Sequence, residues 1–453
     1  MKTAKKRPIK LWLAVIASVI FWTFGTGFDR QLSADSDETY KGLKLFTEVI
    51  EIVQKNYVDE VNSKDLIEKA IQGMVRGLDP HSALLPPDAY EDLSIDTKGE
   101  FTGIGIHITM RDGLVTVISP IEGTPAYKAG IQAMDRIIKV DGKPVNELRE
   151  AVALMRGPKG STVMVTILRE GATDPQDFEL VRDVIPIESV RASLLKPGYG
   201  YIRITNFNSN TIEDLESALK GLESGPEPLK GLVLDFRDNG GGLLDQAIKV
   251  SDMFLDDGLI LTIKGRLPRN NKEFRAHPGD VKRTYPIVAL INGGSASASE
   301  IVVGALQDQK RALVLGTTSF GKGSVQTVET LRDGYGLKLT IALYYTPSGR
   351  SIQAKGIEPD IVVRKKVVDD EDLKGPEDNR LKDSDLKNHL EVTPEVETKV
   401  PQKTDQKKKK SPQELELELR HGPLTAEKLQ RDYQLQRALD FLIGYEVFKD
   451  LKG

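Results

Sequence analysis

The segment Asn292-Gly293-Gly294-Ser295-Ala296-Ser297-Ala298-Ser299-Glu300 lies between an apolar run, Ile287 to Asn292, and a second, Ala298 to Gln307. The first run has strand length and the second has helical spacing, so the chain here reads as strand, tight turn of small side chains, helix start. Such a turn exposes a hydroxyl and lets a substrate backbone approach. The outward N–H groups of the first helical turn can then stabilise an oxyanion. Three serines compete for the role, and spacing alone favours none. The alternation continues on both sides. Strands are expected at Gly231 to Arg237, Ala312 to Gly316 and Leu337 to Tyr345, and helices near Thr211 to Leu222 and Leu243 to Phe254. An α/β core over residues 186–364 follows.

Upstream, residues 96–185 change texture to short β-rich runs, Leu114 to Ile118, Ile137 to Val140 and Val163 to Leu168, separated by glycine turns. Gly103-Ile104-Gly105-Ile106 precedes a strand, and Pro125-Ala126, Ala129-Gly130 and Asp135 to Gly142 follow in order. This series resembles a circularly permuted bacterial PDZ domain. In such domains a glycine-containing loop catches a terminal carboxylate on its backbone N–H groups while the peptide adds as a β-strand. The resemblance makes Gly103, Ile104, Gly105 and Ile106 the expected peptide-binding residues. Residues 29–95 read as helical, with Leu43, Leu45, Phe46, Val49, Ile50, Ile52 and Val53 on one broad face and a break at Gly77-Leu78-Asp79-Pro80. Packing or dimerisation is the plain reading of that face.

At 453 residues the chain exceeds what one core supports. It has no cysteine, which excludes disulfides, thiolate metal sites and a cysteine nucleophile. A net charge of −4 gives no reason to expect nucleic acid as a partner. Lys2, Lys5, Lys6, Arg7 and Lys10 precede the uncharged stretch Leu11 to Phe28, so residues 1–28 read as a signal sequence or membrane anchor. The absence of a clean small-x-small site before Asp29 favours retention as an anchor. The protein is then exported, periplasmic or otherwise extracytoplasmic. Charges and prolines dominate residues 365–411, including Lys407 to Lys410, and this insert reads as a solvated linker. Within residues 412–453, Leu435, Leu439 and Leu442 stand at helical spacing and mark a C-terminal helix that docks back or meets a partner.

A serine hydroxyl needs a base. None of the five histidines, His81, His107, His277, His389 and His421, sits in a recognisable triad motif. Lys322, in Phe320-Gly321-Lys322-Gly323-Ser324 just after the strand ending at Gly316, is the alternative. An ordinary lysine, with a pKa of about 10.4, must be desolvated to serve; a reduction by about three units costs roughly 4 kcal/mol. Gly316 to Lys322 also fits the first seven positions of a phosphate-binding loop. Gly323 stands where that loop needs its magnesium-binding Ser or Thr, which argues against nucleotide hydrolysis.

These residues together resemble the carboxyl-terminal processing (tail-specific) serine proteases. In that family the middle serine of Ser-Ala-Ser-Ala-Ser-Glu is the nucleophile and the lysine of Phe-Gly-Lys-Gly, 25 residues on, is the base. Ser297 and Lys322 have that separation. The resemblance further implies that Gln326 orients the lysine and that the N–H groups of Gly241, in Arg237-Asp238-Asn239-Gly240-Gly241-Gly242, and of Ala298 form the oxyanion hole. It implies a multidomain α/β fold, a crotonase/Clp-like protease core carrying an inserted PDZ domain and terminal helices. It also implies protein substrates with exposed C-termini, a homo-oligomer, room for an activating adaptor, and no cofactor or metal. The rival from another class is a non-catalytic PDZ scaffold at the membrane.

Overall fold

The computed structural model describes residues 37–172, 174–366, 429 and 431–451. The expected export segment and nearly all of the charged insert lie outside them. The chain divides after Leu84 into two compact units.

In the first unit, residues 37–56 form helix α1 and Ser63–Arg76 form α2, which opens where the Asn62 side chain accepts from the Lys64 N–H at 2.8 Å. Leu43, Phe46, Val49 and Ile52, the face singled out by its spacing, are exposed.

The second unit starts with α3 (Pro87–Lys98) and continues into a β-rich domain. Five strands, β1 (Ile106–Arg111), β2 (Leu114–Pro120), β3 (Arg136–Val140), β4 (Thr162–Leu168) and β5 (Gln176–Val181), lie in that spatial order and pair antiparallel. Helix α4 (Leu148–Met155) packs on β1 and β3. The domain has its own core of Val115, Val117, Ile137, Val140, Val163, Val165 and Ile167. Glu100–Gly103 pairs antiparallel with Asp183–Pro186, so the domain leaves and rejoins the chain at one place.

The core that follows contains a six-stranded sheet. Its order is β6 (Val190–Lys196), β7 (Tyr199–Ile204), β8 (Gly231–Asp235), β11 (Ile287–Ile291), β12 (Ala312–Gly316) and β15 (Ile361–Val362), parallel from β7 onward. The central strands are apolar except at Asp235, which ends β8, because both faces are covered. Leu232, Leu234, Ala289 and Ile291 point toward α5 (Thr211–Glu223), α6 (Leu244–Asp252) and α7 (Ala298–Asp308). Val233, Val288, Leu290 and Leu315 point the other way, onto α8 (Tyr433–Asp450), which contributes Leu435, Ala438 and Leu442.

A smaller antiparallel sheet runs β13 (Ser324–Thr330), β14 (Gly336–Tyr345), β9 (Leu259–Gly265), β10 (Lys272–Arg275). The parallel order of the six-stranded sheet puts the carboxyl ends of β8, β11 and β12 side by side. There the chain leaves the sheet at Phe236, Asn292 and Thr317, and open α/β sheets gather their ligands at such edges.

Candidate active site

The loop after β11 gives the three serines different surroundings. Ser295 and Ser299 are fully buried; Ser295 Oγ donates to the Phe236 carbonyl at 2.8 Å and Ser299 Oγ to the Asn239 carbonyl at 3.0 Å. Ser297 is half-buried and caps α7 with φ 56° and ψ −113°, a left-handed conformation that a residue with a Cβ adopts at a cost. Its neighbour Ala298 has an N–H without a protein acceptor among the described residues. Free N–H groups are the expected state of a first helical turn.

Gly241 stacks directly on this turn. A Cβ there would lie 2.7 Å from Ser297 Cβ and 2.8 Å from the Ala296 carbonyl oxygen, and φ is +101°. Only glycine fits. In this arrangement the Gly241 N–H donates to Asn239 Oδ1 at 2.9 Å, so this expected oxyanion donor is internally engaged. The Asn239 amide in turn donates to the Ile204 carbonyl at 2.8 Å.

Lys322 lies on the loop after β12, half-buried. A residue not singled out from the sequence ties this loop to the serine turn. Glu300, fully buried in the first turn of α7, accepts four hydrogen bonds: Oε2 from Ser297 N at 2.8 Å and Lys322 N at 2.9 Å, Oε1 from Ser319 Oγ at 2.6 Å and Gly321 N at 2.7 Å. The loop that mimics a phosphate cradle therefore wraps its N–H groups around the protein's own carboxylate. Phe320, between two of those donors, is bonded through its N–H to the Ser295 carbonyl at 2.9 Å while its ring is 60% exposed, an aromatic surface beside the centre.

Burial pushes the Lys322 amine below the ordinary lysine value, the Lys338 ammonium pushes it further, and Glu300 works the other way. The first two effects favour the neutral amine, the form in which a lysine can accept a proton. Activity is expected to rise with pH as Lys322 loses its proton. Lys338→Met, by removing a positive neighbour, lets Lys322 hold that proton more tightly. The rising limb of the kcat/KM profile then shifts to higher pH; a limb that stays put or moves toward acid removes Lys322 from the role.

Among the described residues no hydrogen bond joins Lys322 Nζ to Ser297 Oγ. Gln326, expected on the lysine amine, instead donates to Ser324 Oγ at 2.9 Å and Thr340 Oγ1 at 3.5 Å, because it faces Thr340 across the β13–β14 register. Tyr344 fills the space between: buried on β14, it donates its hydroxyl to the Lys322 carbonyl. Burial raises its pKa against a hydrogen bond with Ser297.

In the β-rich domain, β1 is an edge strand beside α4. Ile104 is buried in the domain core, so of this residue only the main chain is open to a ligand. The Gly105 carbonyl accepts from Ile121 N at 2.9 Å and Thr124 Oγ1 at 3.0 Å, and Gly105 has φ +79° with the Thr124 side chain 2.3 Å from where a Cβ would stand.

The sequence profile described as peptidase family S41 matches residues 198–363, that of a PDZ domain residues 102–180, and that of the activating protease CtpB N-terminal domain residues 26–88. The chain is 46% identical over 388 residues to a carboxy-terminal-processing protease of Bartonella bacilliformis, covering 83% of this chain and 88% of that one. It is 37% identical over 366 residues to the carboxy-terminal processing protease CtpA of Bacillus subtilis, covering 79% and 77%. Among solved structures, the photosystem II D1 C-terminal processing protease is similar at 34% identity and a TM-score of 0.42, covering 73% of this chain and 95% of that one.

Proposed function

The chain belongs to peptidase family S41, the carboxyl-terminal processing serine proteases with a PDZ domain, and from that premise we propose that it cleaves protein substrates with a Ser297–Lys322 dyad. The observation that carries the reading is Glu300, whose one carboxylate holds the backbone N–H groups of both residues.

Ser297 Oγ attacks the scissile carbonyl while Lys322 takes its proton. The Ala298 N–H, joined by that of Gly241 once Asn239 releases it, meets the oxyanion. An acyl-enzyme forms as Lys322 passes that proton to the leaving amine, and a water that gives its proton to Lys322 attacks the ester and releases the second product, the proton returning to Ser297. The Ser297–Lys322 and Lys322–Gln326 hydrogen bonds form on substrate binding, when contacts of this kind tighten. The C-terminal residues of the substrate add to β1, with their carboxylate on the Gly103–Ile106 loop. The ring of Phe320 lies against the substrate next to the bond cut.

The protein is exported and held at the membrane by its first residues. It self-associates through its terminal helices, where α1 exposes Leu43 and Phe46 and α8 exposes Phe441, Tyr445 and Phe448. An activating adaptor is compatible with the N-terminal match.

The test incubates the full chain with a loosely folded protein ending in apolar residues, with its C-terminus free or amidated. Cleavage of the free form is expected, with roughly tenfold slower cleavage of the amidated one through a higher KM. A serine-directed fluorophosphonate should label the peptide containing Ser297. Binding without cleavage or labelling would favour a PDZ scaffold, or a chain that needs its activating adaptor, over self-sufficient cleavage.

A further inference from the structure

Arg237 is a buried residue between the Gly241 loop and the C-terminal helix. On one side stands Phe236, whose carbonyl accepts from Ser295 Oγ at 2.8 Å and Asn239 N at 3.2 Å. On the other stands Asp238, whose N–H donates to Asn292 Oδ1 at 2.9 Å. Any displacement of Arg237 thus acts on the loop carrying Gly241 and on the turn carrying Ser297. Both its backbone N–H, at 3.0 Å, and Nε, at 2.9 Å, go to Asp235 Oδ1, so one carboxylate fixes main chain and side chain.

The other four guanidinium hydrogens are also accounted for. Nη2 donates to Asp235 Oδ2 at 2.6 Å and Asp432 Oδ2 at 2.7 Å; Nη1 donates to Asp432 Oδ1 at 3.1 Å and Gln434 Oε1 at 2.9 Å. Five donors meet five acceptors, and three of those contacts come from the start of α8. Burial pushes the Asp235 carboxyl up, but the Arg237 guanidinium and its hydrogen bonds, with Arg203, hold it down to about 2. The charged form that pairs with Arg237 is thereby favoured.

The α8 end of the contact is separable. The helix is docked on the outer face of β8, β11 and β12 by the side chains of Leu435, Ala438 and Leu442, and an element held by side-chain contacts alone opens more readily than the hydrogen-bonded sheet beneath it. We infer that Arg237 is a positioning residue for the reaction: clamped by Asp432 and Gln434, it holds the Asp238–Gly242 loop against Ser297, so the docking of α8 sets the oxyanion side of the site. The inference rests on the reading of that loop as part of the reacting centre.

Asp432→Asn in the full chain is the decisive variant. Asparagine keeps the N-cap that Asp432 gives Leu435 N at 3.1 Å, while the charge that pairs with Arg237 is lost. Two quantities are read: kcat and KM on the protein substrate above, and amide hydrogen exchange by mass spectrometry. The expected result is a kcat lower by roughly tenfold with KM within about twofold, and exchange at residues 238–243 faster by about tenfold while residues 436–450 stay protected. Glu446→Gln, which removes the charge that faces Lys230 and Tyr199 farther along α8, is expected to change neither quantity.

Unchanged loop exchange and kcat in Asp432→Asn overturn the inference, as does an equal loss in Glu446→Gln. If the wild-type chain cleaves nothing, the protease reading fails and the exchange measurement alone decides the coupling.

Discussion

Ser297→Ala is expected to abolish cleavage, lowering kcat by roughly four to six orders of magnitude while substrate capture on the β-rich domain persists. Alanine removes the only atom that can attack, and neither neighbour can substitute. Ser295 and Ser299 are buried with their hydroxyls on the Phe236 and Asn239 carbonyls. Lys322→Met, which preserves the length of the chain and removes the amine, should fall to a similar floor because the two residues act as one unit. Single-turnover cleavage with purified variants reads both. A Ser297→Ala protein that still cleaves at more than about one hundredth of the wild-type rate would place the nucleophile elsewhere.

Glu300→Gln is expected to lower kcat by about a hundredfold and to reduce thermal stability, with KM nearly unchanged. The carboxylate accepts from four donors, and three of them are backbone N–H groups that cannot turn away. In one orientation the amide nitrogen of glutamine faces the N–H groups of Ser297 and Lys322; in the other it faces that of Gly321. Each orphaned donor costs about 1–3 kcal/mol. Either way the serine turn and the lysine loop lose part of the contact that sets their spacing. A loss of stability with kcat unchanged would reduce Glu300 to a packing role.

Much of this was legible in the sequence, for a physical reason. Strands covered on both faces are apolar throughout, so Ile287–Ile291 and Ala312–Gly316 stand out, and the helix from Ala298 follows its own periodicity. The parallel pairing of those strands brings the lysine loop next to the serine turn, as the order of elements suggested. Strands such as Ser324–Thr330, with one face half-covered and polar residues interspersed, gave no such signal.

What local pattern could not show was every contact made across the fold. Glu300 looks like any acidic residue in a first helical turn; its other partners arrive from a loop 19 to 22 residues away. Asp432 looks like an ordinary helix cap, yet it meets an arginine 195 residues earlier. The rotation of Gln326 onto Ser324, and of Asn239 onto Gly241, depends on side-chain torsions that motifs do not encode.

The meeting of Gln434 with Val363 has a practical side. The Gln434 amide donates to the Val363 carbonyl at 2.6 Å, so the polypeptide that departs after β15 returns to the spot it left. Loop closure grows more costly by only about 0.6 kcal/mol for each doubling of length. A longer segment between residues 366 and 429 therefore adds little closure cost, and a fluorescent or affinity module spliced there would leave Leu429, Asp432 and Gln434 on the core, as a graft on a closed stem.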